Sequence, residues 1–135
     1  MSVADYLVDT SALARILLRQ STEERERRIS AGLVALCELT ELELLYSARS
    51  TEDGEKVRDR LAQFTWCPMP DGIFRRARTV QEQLTTMGEH RSAGPVDLLV
   101  AAVAEQSGLV LLHHDRYFET IARTTGQPTR MLELR

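Results

Sequence analysis

The sequence predicts an α/β domain of three layers, α/β/α, around a central, mostly parallel sheet of four to five strands. Two observations predict it. Short apolar runs of strand length alternate with longer segments of helical character along the whole chain. Successive apolar runs are separated by those helical segments, the crossover that parallel strands need. No internal repeat, linker or low-complexity stretch interrupts the alternation, so the expectation is one domain over residues 1–135.

The first strand is Tyr6-Leu7-Val8, too short for a helix, and it stops at Asp9-Thr10-Ser11 before a helix over residues 12–18. A charged helix follows over 21–28, with Ser21 and Glu24 in a capping-box pattern, and Gly32 ends it. Residues 33–37 read as the second strand, 40–49 and 53–64 as helices, the latter with Val57, Leu61 and Phe64 on one face. The third strand, 65–70, carries Pro68 and Pro70, which suits a sheet edge. A long helix over 71–87 ends at Gly88, and a polar loop leads to Pro95. Proline fits the first position of a helix, here 95–106, which is apolar all round and therefore buried. Residues 109–112 form the fourth strand, 115–124 a helix and 129–132 a last strand.

Composition narrows the function. Hydrophobic content of 43% with 27% charged residues is that of a globular protein. No apolar run approaches the roughly 18 residues of a membrane span, and no signal-like segment opens the chain, so a cytoplasmic protein without a membrane partner is expected. Cys37 and Cys67 lack metal-like spacing and read as buried thiols. A net charge of −3 argues against a general nucleic-acid coat, though not against an enzyme that meets phosphates through metal. Lys56 is the sole lysine, in a polar stretch with no glycine-rich loop before it, which excludes a Walker P-loop and a Schiff base.

The acids then fall into place. Asp9 follows the first strand and Asp115 the fourth, so both reach the carboxyl edge of a parallel sheet, where α/β proteins bind ligands. Asp97 lies in the first turn of a helix that runs antiparallel to the strands, and Glu43 in the first turns of the helix after the second strand. Both return to that edge. Each also has a purely structural reading: Asp9 or Asp115 as an N-cap, Asp97 as a dipole partner, Glu43 with Thr40 as a capping box. Four gathered carboxylates repel one another unless a cation compensates, and a hard ion such as Mg2+ or Mn2+ suits oxygen ligands. Such an ion polarises a phosphate and activates a bound water.

With these pieces assembled, the chain resembles PIN-domain ribonucleases, and among them the VapC-type toxins of bacterial toxin–antitoxin pairs. The matching segments are Leu7-Val8-Asp9-Thr10-Ser11-Ala12, Glu43-Leu44-Leu45-Tyr46-Ser47-Ala48-Arg49, Pro95-Val96-Asp97-Leu98-Leu99-Val100-Ala101-Ala102 and Asp115-Arg116-Tyr117-Phe118. The resemblance spans nearly the whole chain and implies a PIN-like fold. It also implies that Asp9, Glu43, Asp97 and Asp115 bind one or two Mg2+ or Mn2+ ions and drive endoribonuclease cleavage of cellular RNA. Ser11 fits the hydroxyl that supports the first acid. A VapB-type antitoxin and a homodimer are implied as partners.

One position departs from the pattern: His113 stands where many members carry Thr or Ser, two residues before the last acid. It either supports the site, through phosphate or metal-bound water, or occupies a strand end. His114 is expected to pack against a helix and His90 to face solvent. Arg75, Arg76 and Arg78 either touch RNA or form a solvated helix face. A haloacid-dehalogenase-like phosphatase needs a second Asp where Ser11 stands, and a receiver domain needs a lysine late in the sheet; neither fits. Nothing in the sequence excludes a binding module whose acids only hold a structural metal. Leu13, Ile16 and Leu17 share a face of the first helix, which either packs on the sheet or leaves a groove for an antitoxin helix.

Overall fold

A computed structural model describes residues 4–135. Its elements are β1 (Tyr6–Val8), α1 (Thr10–Leu17), α2 (Glu23–Ser30), β2 (Val34–Leu36), α3 (Glu38–Leu45) and α4 (Thr51–Leu61). The chain continues with β3 (Thr65–Trp66), α5 (Ile73–Thr86), α6 (Pro95–Gln106), β4 (Val110–His113), α7 (Tyr117–Thr125) and β5 (Thr129–Met131). Among the described residues no helix is long and apolar enough to cross a membrane.

The five strands form one parallel sheet in the order β3-β2-β1-β4-β5. Leu7 of β1 sits level with Ala35 on one side and Leu111 on the other. Because side chains alternate along a strand, Leu7, Ala35 and Leu111 enter the core under α5, α6 and α7. Tyr6, Val8, Val34, Leu36 and Leu112 enter the opposite core, with Ala12, Leu13 and Ile16 of α1, Ile29 of α2 and Leu61 of α4. Both faces are covered, giving the three-layer α/β/α arrangement expected from the sequence. Leu7 is fully buried, which contributes about 1.5–3 kcal/mol.

The strand order fixes where a site forms. The chain steps outward from β1 to β2 to β3, then crosses back to lay β4 on the other side of β1. The crevice beyond the carboxyl ends of β1 and β4 is thus the topological switch point, where open α/β sheets hold their ligands.

Several local expectations need correction. Helix α2 is capped by Thr22, whose hydroxyl accepts the Arg25 N–H, and not by Ser21; Ser21 is bridged to Leu134 instead. Helix α3 starts at Glu38, after Cys37, which makes no side-chain cap. Thr40 therefore lies inside the helix, buried, with its hydroxyl donating to the Val8 carbonyl at 3.4 Å. The Thr40–Glu43 capping box does not form. Strand β3 is only two residues long before Pro68, and β3 and β5 are the edges. Of the two readings of the α1 face, packing on the sheet is the one observed for Leu13 and Ile16, which are fully buried. Cys37 and Cys67 are free, buried thiols.

Candidate active site

Asp9 leaves β1 and caps α1. Its Oδ1 accepts the Ala12 N–H at 3.0 Å, and the Ser11 hydroxyl donates to Oδ1 and Oδ2 at 2.8 and 3.0 Å. The N-cap reading is thus correct, yet it does not account for the electrostatics. Only 3% of Asp9 is exposed, and burial pushes its carboxyl up to about 6, against the lowering effect of those hydrogen bonds. Asp97 adds a smaller repulsion in the same direction.

Ser11 also binds the neighbouring strand end. Its oxygen accepts the His114 N–H at 2.9 Å, so one hydroxyl links the β4–α7 turn to the Asp9 carboxylate. Thr10, beside it in the first turn of α1, donates to Glu43 on α3. Glu43 is exposed, and this contact ties it toward the β1 end. Thr10 is the residue missed in the sequence. Its signal was present: two consecutive hydroxyl residues follow Asp9, and each reaches a different carboxylate.

Asp97 lies in the first turn of α6 and accepts the Gly94 N–H on Oδ2 at 3.1 Å. Its carboxyl is raised, first by burial and then by repulsion from Glu43 and Asp115. Asp115 accepts the Tyr117 N–H at 3.1 Å just before α7, whose N-cap position is Arg116. His113, 1% exposed, accepts the Asp115 N–H on Nδ1 at 3.2 Å and lies against Phe118 with ring centroids 5.2 Å apart. Burial lowers its pKa, consistent with a neutral ring that accepts on Nδ1. It occupies a strand end, and it holds the Asp115 backbone from below. His114 is half-buried, and its Nδ1 has no hydrogen-bond partner. Arg76 is bound by Glu105 at 2.6 Å, whereas Arg75 and Arg78 are exposed on α5.

Asp97 is thus the hub: it is repelled by Glu43 and Asp115, and it in turn repels Asp9. The ion pairs among the described residues involve none of these four acids. No group of three His, Cys, Asp or Glu among the described residues stands close enough to grip a metal ion as the side chains lie. The donor set nonetheless fits a hard divalent cation: it is all carboxylate oxygen, Asp97 is pressed by Glu43 and Asp115 and presses Asp9, and no arginine pairs with any of the four among the described residues.

Comparison with known proteins agrees with this architecture. The PIN domain family model matches residues 6–124. The chain belongs to the PIN-domain family. Within it, the chain is 42% identical over 127 residues to ribonuclease VapC21 of Mycobacterium tuberculosis (strain ATCC 25618 / H37Rv), covering 91% of this chain and 90% of that protein. Ribonuclease VapC18 of the same strain is 34% identical over 129 residues, covering 94% of each. Among solved structures, a DNA-bound VapBC from Salmonella typhimurium has the same fold, with a TM-score of 0.75 at 21% identity over 95% of this chain and 98% of that one.

Proposed function

We propose that this chain, as one domain over residues 1–135, is a Mg2+- or Mn2+-dependent endoribonuclease and the toxin of a toxin–antitoxin pair. Family membership and relatives named as VapC ribonucleases support the RNA-cleaving activity. The observation that carries the metal-dependent reading is the electrostatic state of Asp97: a partly buried carboxylate pressed by Glu43 and Asp115, and in no ion pair among the described residues.

In this reading Asp9, Glu43, Asp97 and Asp115 hold the ion. Once bound, a divalent ion polarises a phosphate and lowers the pKa of a coordinated water. The chain's own residues do the positioning. Ser11 and the α1 N-terminus hold Asp9 in one rotamer, Gly94 holds Asp97, and Tyr117 with His113 sets the turn that carries Asp115. Glu43, exposed on α3, is held toward the β1 end by the Thr10 hydroxyl. His113 is a supporting residue that acts through the Asp115 backbone. The partners are an RNA substrate, a VapB-type antitoxin and a second copy of the chain, and the site of action is the cytoplasm.

The test is cleavage of a structured RNA with and without Mg2+ or Mn2+. Metal-dependent cleavage by the wild type, lost in Asp97→Ala, supports the reading. Metal-stabilised protein that never cleaves RNA would return the chain to a binding module.

A further inference from the structure

Away from the acids, α2 and the segment after β5 enclose a second charged cleft. It has a volume of about 260 Å3 and is lined by Thr22, Glu24, Arg25, Arg28, Arg130 and Glu133. Arg25 is only 3% exposed. Its Nε and Nη2 donate to Glu133 at 3.3 and 3.0 Å, and its guanidinium stands 4.6 Å over the Tyr6 ring. Its Nη1 is buried with no hydrogen-bond partner. A buried guanidinium N–H without an acceptor is costly, and such a group in a native fold calls for a missing partner.

The other two arginines are held loosely. Arg28 pairs with Glu24 at 3.0 Å, with side chains 39% and 67% exposed, and Arg130 with Glu133 at 3.0 Å, with side chains 55% and 37% exposed. Ion pairs this exposed contribute little and yield to a better acceptor. Three guanidiniums against two carboxylates leave one positive charge, which matches a singly charged phosphodiester better than a phosphate dianion. The planar arginine fork suits phosphate oxygens. Ser21, next to Thr22 at the start of α2, is bridged to Leu134 beyond the carboxyl end of β5.

We propose that this cleft binds one backbone phosphodiester of single-stranded RNA, distant from the bond that is cut. The inference rests on the endoribonuclease reading and adds to it a positioning site that the four acids do not supply.

Binding of a short unstructured RNA is measured without divalent metal, across a range of salt, for wild type, Arg130→Gln, and Arg28→Gln with Arg130→Gln. One single-strand phosphate contact contributes about 0.7 to the slope of log affinity against log salt. The double variant should lose about that much slope and bind severalfold more weakly at low salt. With metal present it should show a raised KM on long RNA and an unchanged kcat. Arg75→Gln with Arg78→Gln, equal in charge and also exposed, serves as the control and should leave the slope unaltered. Should the double variant melt early, the single Arg130→Gln, at the more exposed arginine, carries the comparison. An unchanged slope in the cleft variants, or an equal loss in the control, overturns the proposal. Wild type that cleaves RNA while the cleft variants bind normally defeats the cleft alone. Wild type that cleaves nothing, with the slope loss confined to the cleft variants, defeats the nuclease reading and leaves the cleft standing.

Discussion

The Ser11 hydroxyl donates to both carboxylate oxygens of Asp9, at 2.8 and 3.0 Å, while its oxygen accepts the His114 N–H at 2.9 Å. One side chain therefore sets the rotamer of an acid at the end of β1 and fastens the turn at the end of β4. Replacing Ser11 by Ala removes a donor from a buried carboxylate and leaves a partly buried N–H unpaired, at a cost of about 1–3 kcal/mol. Ser11→Ala should melt at a lower temperature and cleave more slowly, and Ser11→Thr, which keeps the hydroxyl, should recover most of both. Equal loss in the two variants on melting and cleavage assays would show that packing and not the hydroxyl matters.

Asp9 makes the metal-free fold pH-sensitive in a stated direction. Burial raises its carboxyl from 3.8 to about 6, so the folded state holds a proton that the unfolded state has released. Stability from this group is full below the unfolded value and is lost as pH rises through about 6. The loss is at most about 3 kcal/mol. In a chelator, Asp9→Asn should match wild type near the acidic end and become the more stable protein above that range. Titrations that are not coupled to Asp9 cancel in the difference. Mg2+ or Mn2+ should then raise the melting temperature of wild type far more than that of Asp9→Asn. Denaturation curves across pH check the first statement, and melts with metal check the second.

Glu43 tests whether an acid near a helix start is there for the helix. Because α3 begins at Glu38, with Cys37 in the N-cap position, and Thr40 bonds the Val8 carbonyl, Glu43 has no capping duty. Gln keeps an acceptor for the Thr10 hydroxyl and removes only the charge. Glu43→Gln should fold with wild-type stability and lose most cleavage, as should Glu43→Ala. Double losses among the four acids should fall far short of additivity if they act as a unit. Full activity in Glu43→Gln would remove it from the site.

What was legible in the sequence was what depends on periodicity and punctuation. The apolar runs gave the strands, Pro95 marked the start of α6 to the residue, and the topology of a parallel sheet pointed Asp9, Glu43, Asp97 and Asp115 toward one edge. What was not legible depends on tertiary competition. Ser21 has the right chemistry for a cap, but the chain end at Leu134 claims it for a bridge and Thr22 takes the cap. Thr40 looks like a cap until burial turns it toward Val8. For His113 the sequence offers either support of the site or a strand end; it occupies the strand end, but only folding brings its Nδ1 to the N–H of Asp115. Arg25 looked like one member of a solvated helix, and only the distant Glu133 and Tyr6 explain its burial.

The hub position of Asp97 yields the cellular prediction. Among the described residues its one hydrogen-bond partner is the Gly94 N–H, so Asp97→Ala sacrifices a first-turn contact of about 1 kcal/mol and the fold survives. Asp97→Asn keeps an acceptor for that N–H and removes the charge alone. If the four acids form one catalytic unit in a toxin, both variants should lose RNA cleavage together, with Asp97→Asn retaining the full melting temperature. Expressed without an antitoxin, wild type should arrest growth, and either variant should relieve the arrest at matched protein level. Relief by Asp97→Ala but not by Asp97→Asn would assign the effect to the helix start and not to the charge. Wild type as harmless as both variants, while purified wild type still cleaves RNA, would leave a nuclease and remove the toxin.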